Sequence, residues 1–205
     1  MKLTATVLSH IFQPLFIPLY GILLFFYVSP FALLPVSLPY KLLTLGGTFF
    51  FTALIPGLSV LYMMKTGQVS DIFISNRRQR TLPYVYTLIS YLFWIYFLWQ
   101  TMLLSTLLVL VAAGAVVGLI LVMIINIKWK ISAHLTGMGS LFGASLGFSY
   151  VFFLNPLPYF LILLLLSLSV MWSRIYLNAH TPMQVVGGFY VGMFTTFLPC
   201  ILFTC

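Results

Sequence analysis

Residues 173–184 read SRIYLNAHTPMQ, and they set Arg174, Asn178, His180 and Gln184 where an apolar helix meets the proline break at Thr181-Pro182. Few other positions in the chain can do chemistry. An arginine six residues before a histidine, with an amide four residues after it, supplies a phosphate clamp, a nucleophile and an orienting partner. The competing reading is a set of interfacial polar residues at a helix end. The choice depends on what the rest of the chain brings to this stretch.

At 62% hydrophobic and 5% charged residues, with mean hydropathy +1.16, the chain excludes a soluble globular domain. Apolar runs of roughly 20 residues recur along its length, which implies an all-α, polytopic bundle of six to seven spans forming one membrane domain over residues 1–205. The first run lacks a small-residue cleavage site and is not read as a removed signal peptide. Nine basic residues face one acid, Asp71, for a net charge of +8, so the partner is an anion. Lipid headgroups and a phosphate-bearing substrate both qualify. Nucleic acid does not, because the cations form short clusters between spans. Cys200 and Cys205 lie in the last apolar run and imply neither a disulfide framework nor a metal pair.

Taken in order, a first span over residues 9–28 is interrupted by Pro14 and Pro18, so it is bent or partly re-entrant, with His10 an interfacial histidine at its start. A proline-rich loop at 29–40 leads to a second span at 42–64. The one long polar segment, residues 65–83, holds Asp71, Arg77, Arg78 and Arg80. The uncharged stretch that follows, to Lys128, fits two spans joined by a turn near residues 100–105, with Gly114 and Gly118 as a packing pair. A fifth span opens at Lys128-Trp-Lys-Ile-Ser-Ala-His134 and carries Gly139, Gly143 and Gly147 on one stripe. Ser132 there is an N-cap or an anion ligand, and His134 needs a partner. After a turn at residues 155–158, a sixth span runs from Tyr159 into Arg174, and the last, at 183–203, carries Gly188 and Gly192. The polar segments centred on residues 78, 132 and 178 are separated by two spans each. They therefore converge on one face.

That face gathers Arg77, Arg78, Arg80, Lys128, Lys130 and Arg174 with His134 and His180 and almost no carboxylate, a set complementary to a phosphate monoester or diphosphate. A divalent-metal phosphatase is disfavoured, since one aspartate cannot build the oxygen shell such ions take, and no metal or cofactor is expected. These residues resemble the type 2 phosphatidic acid phosphatase superfamily, whose motifs are K-x6-R-P, P-S-G-H and S-R-x5-H-x3-D. Ser173, Arg174 and His180 match the third motif, with Gln184 where the family has aspartate. Ile131-Ser132-Ala133-His134 keeps the serine and histidine of the second. Arg80 before Leu82-Pro83 is a loosened form of the first, with Arg77 or Arg78 standing for the lysine. The resemblance covers residues 70–192.

The resemblance implies metal-independent hydrolysis through a phosphohistidine, with His180 as nucleophile and His134 as general acid. It implies that Arg174, Arg80 and Ser132 hold the phosphate oxygens, with Arg78, Lys128 and Lys130 adding to the field. In place of aspartate, Gln184 can fix the imidazole tautomer but not stabilise its charge. Asp71 is expected to pair with an arginine of its own loop or, failing that, to reach His180. The partners implied are a phosphorylated lipid and membrane lipids; phosphatidate, phosphatidylglycerol phosphate, an isoprenyl diphosphate and a lipid A phosphate all remain open. A degenerate homologue that binds or moves such lipids is the alternative, and a bundle with a basic rim is a third. Positive-inside asymmetry puts the charged face in the cytoplasm, whereas the resemblance implies the periplasmic face of a bacterial inner membrane.

Overall fold

A computed structural model describes residues 1–28, 36–101, 106–155 and 157–204. Most of the expected loop at 29–40, most of the expected turn at 100–105, Pro156 and Cys205 lie outside them. The described residues form nine α-helices: α1 (Lys2–Ile11), α2 (Ile17–Tyr27), α3 (Leu38–Phe49), α4 (Ile55–Lys65), α5 (Thr81–Thr101), α6 (Thr106–Lys128), α7 (Ala133–Val151), α8 (Leu157–Tyr176) and α9 (Pro182–Thr204). Among the described residues six segments are long and apolar enough to cross a membrane, and the chain is an integral multi-pass membrane protein.

The exception is α7, although its 19 residues are the right length for a crossing. Eleven of them are buried, among them Gly139, Gly143, Gly147, Ser145 and Ser149. A helix surrounded by other helices meets no lipid, so it has no need of a lipophilic surface.

The first segment departs from a single span beginning at residue 9. Helix α1 starts at Lys2, and the chain breaks around the 3-10 turn Pro14–Phe16 before α2 continues. Pro14 has no N–H to offer, and Pro18 starts the next helix. Ile17 stands against Gly137 of α7 and Phe25 against Phe148, about 16 Å further along that helix. The segment is bent, not re-entrant. Between α3 and α4, a π-turn at Phe50–Leu54 precedes Pro56. The Ile55 N–H reaches back to the Phe50 carbonyl, which frees that of Phe51, and the Ser90 hydroxyl of α5 donates to it.

The most extensive helix contact is α7 on α9, with α6 on the other side of α9. A Cβ at Gly139 would strike the Phe189 carbonyl, one at Gly143 that of Met193, and one at Gly192 that of Thr136. Gly114 meets the Thr195 carbonyl of α9 in the same way. Glycine therefore lets the backbones touch, and the Thr196 hydroxyl crosses to the Ser140 carbonyl at 2.9 Å.

This contact gives a direct test. Gly139→Ala and Gly192→Ala should each cost about 1–3 kcal/mol through overpacking against backbone. Gly46→Ala, whose Cβ would meet nothing within 4 Å, should be neutral. Thermal unfolding in detergent measures both, and equal midpoints for all three variants would contradict the packing.

Candidate active site

The end of α8 and the start of α9 form the first wall of the site. The Leu177 and Asn178 N–H groups close the last turn onto the Ser173 and Ile175 carbonyls, and those of Ala179 and His180 reach back to Arg174 at 3.0 and 3.4 Å. Asn178 sits at φ 52°, a left-handed conformation that asparagine tolerates better than most residues. Its part is to reverse the chain. The reversal lays His180 over the turn that carries Arg174.

His180 Nδ1 lies 3.2 Å from Gln184 Oε1 and 3.2 Å from the Lys130 carbonyl oxygen. The Thr181 N–H also donates to Gln184 Oε1, at 3.2 Å, so that amide atom is the oxygen. Both partners of Nδ1 are acceptors. The neutral ring therefore carries its proton on Nδ1 and keeps its lone pair on Nε2. Gln184 Oε1 stands where it can accept that proton. Its own carbonyl accepts the Ser132 N–H at 3.2 Å, which ties α9 to the start of α7.

The second wall comes from a residue that no motif marked. Ser9 of α1 is wholly buried. The Ser173 hydroxyl spends its only proton on the Ala5 carbonyl at 2.6 Å, so in the 2.7 Å pair with Ser173 the Ser9 hydroxyl is the donor. Its lone pairs are then open to Arg174 Nη1, which donates at 3.0 Å. The Ser9 carbonyl lies 3.1 Å from His134 Nε2 and accepts its proton. That carbonyl is available because the helix stops: the Gln13 N–H, its regular partner, turns to His10 instead. The proline break thus creates the acceptor that holds His134.

Arg80 is buried at the start of α5, donating from Nε to the Ile74 carbonyl at 2.8 Å and from Nη1 to the Ile131 carbonyl at 3.2 Å. Ile74 holds φ 48°, unusual for a β-branched residue, and its neighbour Phe73 covers the pocket. The Phe73 ring lies 5.5 Å from the Arg174 guanidinium and 4.8 Å from the His10 ring. Beneath it lies a cavity of about 170 Å³ lined by Arg80, His134, Arg174 and His180 at one end and apolar residues at the other.

The remaining expected site residues stand elsewhere. Ser132 caps α7, accepting weakly from the Leu135 N–H at 3.5 Å, and does not line the cavity. Arg78 lines a separate surface pocket with Gln79, and Lys128 is exposed at the end of α6. Lys130 reaches the site through its carbonyl. Asp71 corrects both expectations made for it: its carboxylate accepts from the Phe73 and Ser75 N–H groups and from the Ser70 and Ser75 hydroxyls, so it organises its own loop and leaves His180 to Gln184.

The electrostatics follow from this crowding. Burial, then Arg80 and Arg174, push His180 down to about 4, so the imidazole is neutral at ordinary pH. The same causes, in the same order, lower Lys130. Arg174 Nε is buried without a hydrogen-bond partner. Two buried guanidiniums with a donor to spare, beside an imidazole with a free lone pair, are suited to grip and attack a tetrahedral anion.

Ser9→Ala should leave an Arg174 N–H unpaired and cost about 1–3 kcal/mol of stability. Saturating orthovanadate should recover part of the loss by pairing that guanidinium. Thermal unfolding with and without vanadate measures this, and an unchanged midpoint would remove Ser9 from the site.

No curated protein and no solved structure matches the chain significantly. Residues 111–203, a little under half the chain, match the PAP2 superfamily model. The matched region contains the Ser132–His134 and Arg174–His180 stretches, and over that region the chain is similar to the PAP2 superfamily.

Proposed function

We propose that the protein is a membrane lipid phosphatase that works without a metal, through a phosphohistidine on His180. The observation that carries this reading is the fixed tautomer: two carbonyl oxygens hold the Nδ1 proton, which presents Nε2 as the nucleophile in a pocket with two buried arginines. The Nε2 lone pair attacks phosphorus and the bond to the leaving oxygen breaks. His134 enters as the imidazolium, taking up a proton with the anionic substrate, and passes that proton to the leaving oxygen from the nitrogen not held by Ser9. Water then attacks the phosphohistidine and gives its proton to His134, releasing phosphate and neutral His180. Arg174 and Arg80 hold the oxygens throughout. The apolar lining next to the cations favours a lipid phosphate over a sugar phosphate.

A second reading, a homologue that binds phosphorylated lipids without cleaving them, draws on Gln184. An amide dipole at Nδ1 supports the charged phosphoryl-imidazole less than a carboxylate does. Phosphate release from purified protein separates the two. The wild type should turn over phosphatidate or a prenyl phosphate and His180→Ala should fall to background, whereas a wild type that binds vanadate but releases no phosphate supports the binder.

The pH profile gives a sharper test. Because His134 starts neutral and must take up a proton, while His180 must stay neutral to attack, kcat/KM, corrected for substrate ionisation, should rise as pH falls from neutrality and fall again as His180 protonates, around 4. Gln184→Asp should move this limb to higher pH, since a carboxylate at Nδ1 favours the imidazolium. An acid limb indifferent to residue 184 would contradict the assignment.

For sidedness, the family resemblance favours the periplasmic face of a bacterial inner membrane. The charge balance favours the opposite: Lys2, Lys65, Arg77, Arg78, Lys128 and Lys130 lie at the site face outside the cavity lining, against Lys41 at the other. A cysteine introduced at Lys65 and labelled from outside intact cells supports the periplasmic face; protection until lysis supports the cytoplasmic one.

A further inference from the structure

The cavity does not end at the cations. From them it runs between α2, α5, α6 and α7, and a second cavity of about 70 Å³ continues along the same helices. The two share Ile17, Pro18, Ala115 and Ser140. Beyond the residues level with the cations, Val122 on α6 and His134 on α7, the lining goes along α6 from Leu119 to Leu108 and along α7 from Gly137 to Phe148. Each pair is eleven residues apart, about 16 Å of helix by two independent measures.

That depth equals about half the ~30 Å hydrocarbon thickness of a bilayer. At ~1.2 Å per bond, as in an extended polypeptide backbone, it accommodates an extended chain of about 14 carbons. The lining is mostly apolar, and several of its hydroxyls are turned away from it. The hydroxyls of Thr87 and Ser145 donate to carbonyls of their own helices at 2.8 Å, and that of Thr196 to Ser140 at 2.9 Å, leaving carbon surface inward.

We infer that the two cavities form a groove for one hydrocarbon chain of the phosphorylated lipid, threaded from Arg80 and Arg174 to Phe148 and measured to about 14 carbons. The inference rests on the phosphate-site reading for its headgroup, and it extends that reading to the tail. Because bilayer tails are as apolar as the lining, the groove gains little free energy by extracting a chain; it selects by length and places the phosphate. A second tail stays in the surrounding lipid.

The test uses Trp94, which lines the deep cavity and donates from Nε1 to Thr48 at 3.0 Å. A variant with Trp99, Trp129 and Trp172 changed to Phe retains it as the only tryptophan. Alkyl phosphonates brominated at the chain end cannot be hydrolysed and quench tryptophan at short range. The tetradecyl phosphonate should quench Trp94 and orthovanadate should reverse it, while the hexyl phosphonate and the brominated tetradecyl alcohol should show no vanadate-sensitive quenching. Ala115→Phe, at the shared waist, should lower tetradecyl affinity at least about fivefold, the low end of what an overfilled cavity costs. Ser140→Leu gives a second obstruction if the first fails to fold.

Quenching by the phosphonate no greater than by the alcohol, or indifferent to vanadate, overturns the groove even if the protein releases phosphate. Vanadate-sensitive quenching without phosphate release leaves the groove standing and removes the phosphatase reading.

Discussion

The contact of α7 with α9 is the constraint on which the site depends. His134 rides on the first turn of α7, and His180 on the loop that enters α9. The two are far apart in the chain, and neither helix end would fix them alone. Backbone touching backbone at Gly139, Gly143 and Gly192, closed by the Ser132 N–H on the Gln184 carbonyl, makes the two helix starts one rigid body. A methyl group at the interface would separate the helices, and with them the imidazoles. Function enters the fold as a requirement for small residues, because in a membrane close packing does the work that hydrophobic collapse does in water.

Around that body the N–H donors of Arg80 and the two histidines are held mostly by backbone carbonyls. Arg80 is bound by Ile74 and Ile131, His180 by Lys130, and His134 by Ser9. Carbonyl dipoles satisfy donors without neutralising the charge, so the pocket retains its positive field for an anion. Carboxylates in their place would pair with the arginines and compete with a phosphate. The one carboxylate of the chain is instead occupied in shaping the loop that carries Phe73 over the pocket.

The bundle, the convergence of three polar segments and the glycine stripes were legible in the sequence because each is a local signal: run length, span parity, residue spacing. The histidines and Arg174 could be read from spacing too, and Arg80 less directly. Ser9 could not, since a lone serine in an apolar helix has no pattern, and its importance comes from α1 crossing α8 at Ser173 and ending at the proline break. For the same reason charge alone misplaced Arg78 and Lys128 in the field of the site, when one lies in a surface pocket and the other at an exposed helix end. Asp71 was misjudged because the same loop carries three arginines. Nearby N–H groups on a tight loop reached the carboxylate first.

One measurement bears most directly on the account: an experimental structure of the protein with orthovanadate bound. The account predicts a single vanadate with His180 Nε2 as apical ligand, its oxygens on Arg174 and Arg80, and His134 facing the opposite apex, with Gln184 still on Nδ1. Vanadate bound away from His180, or touching it while His134 points out of the pocket, would contradict it.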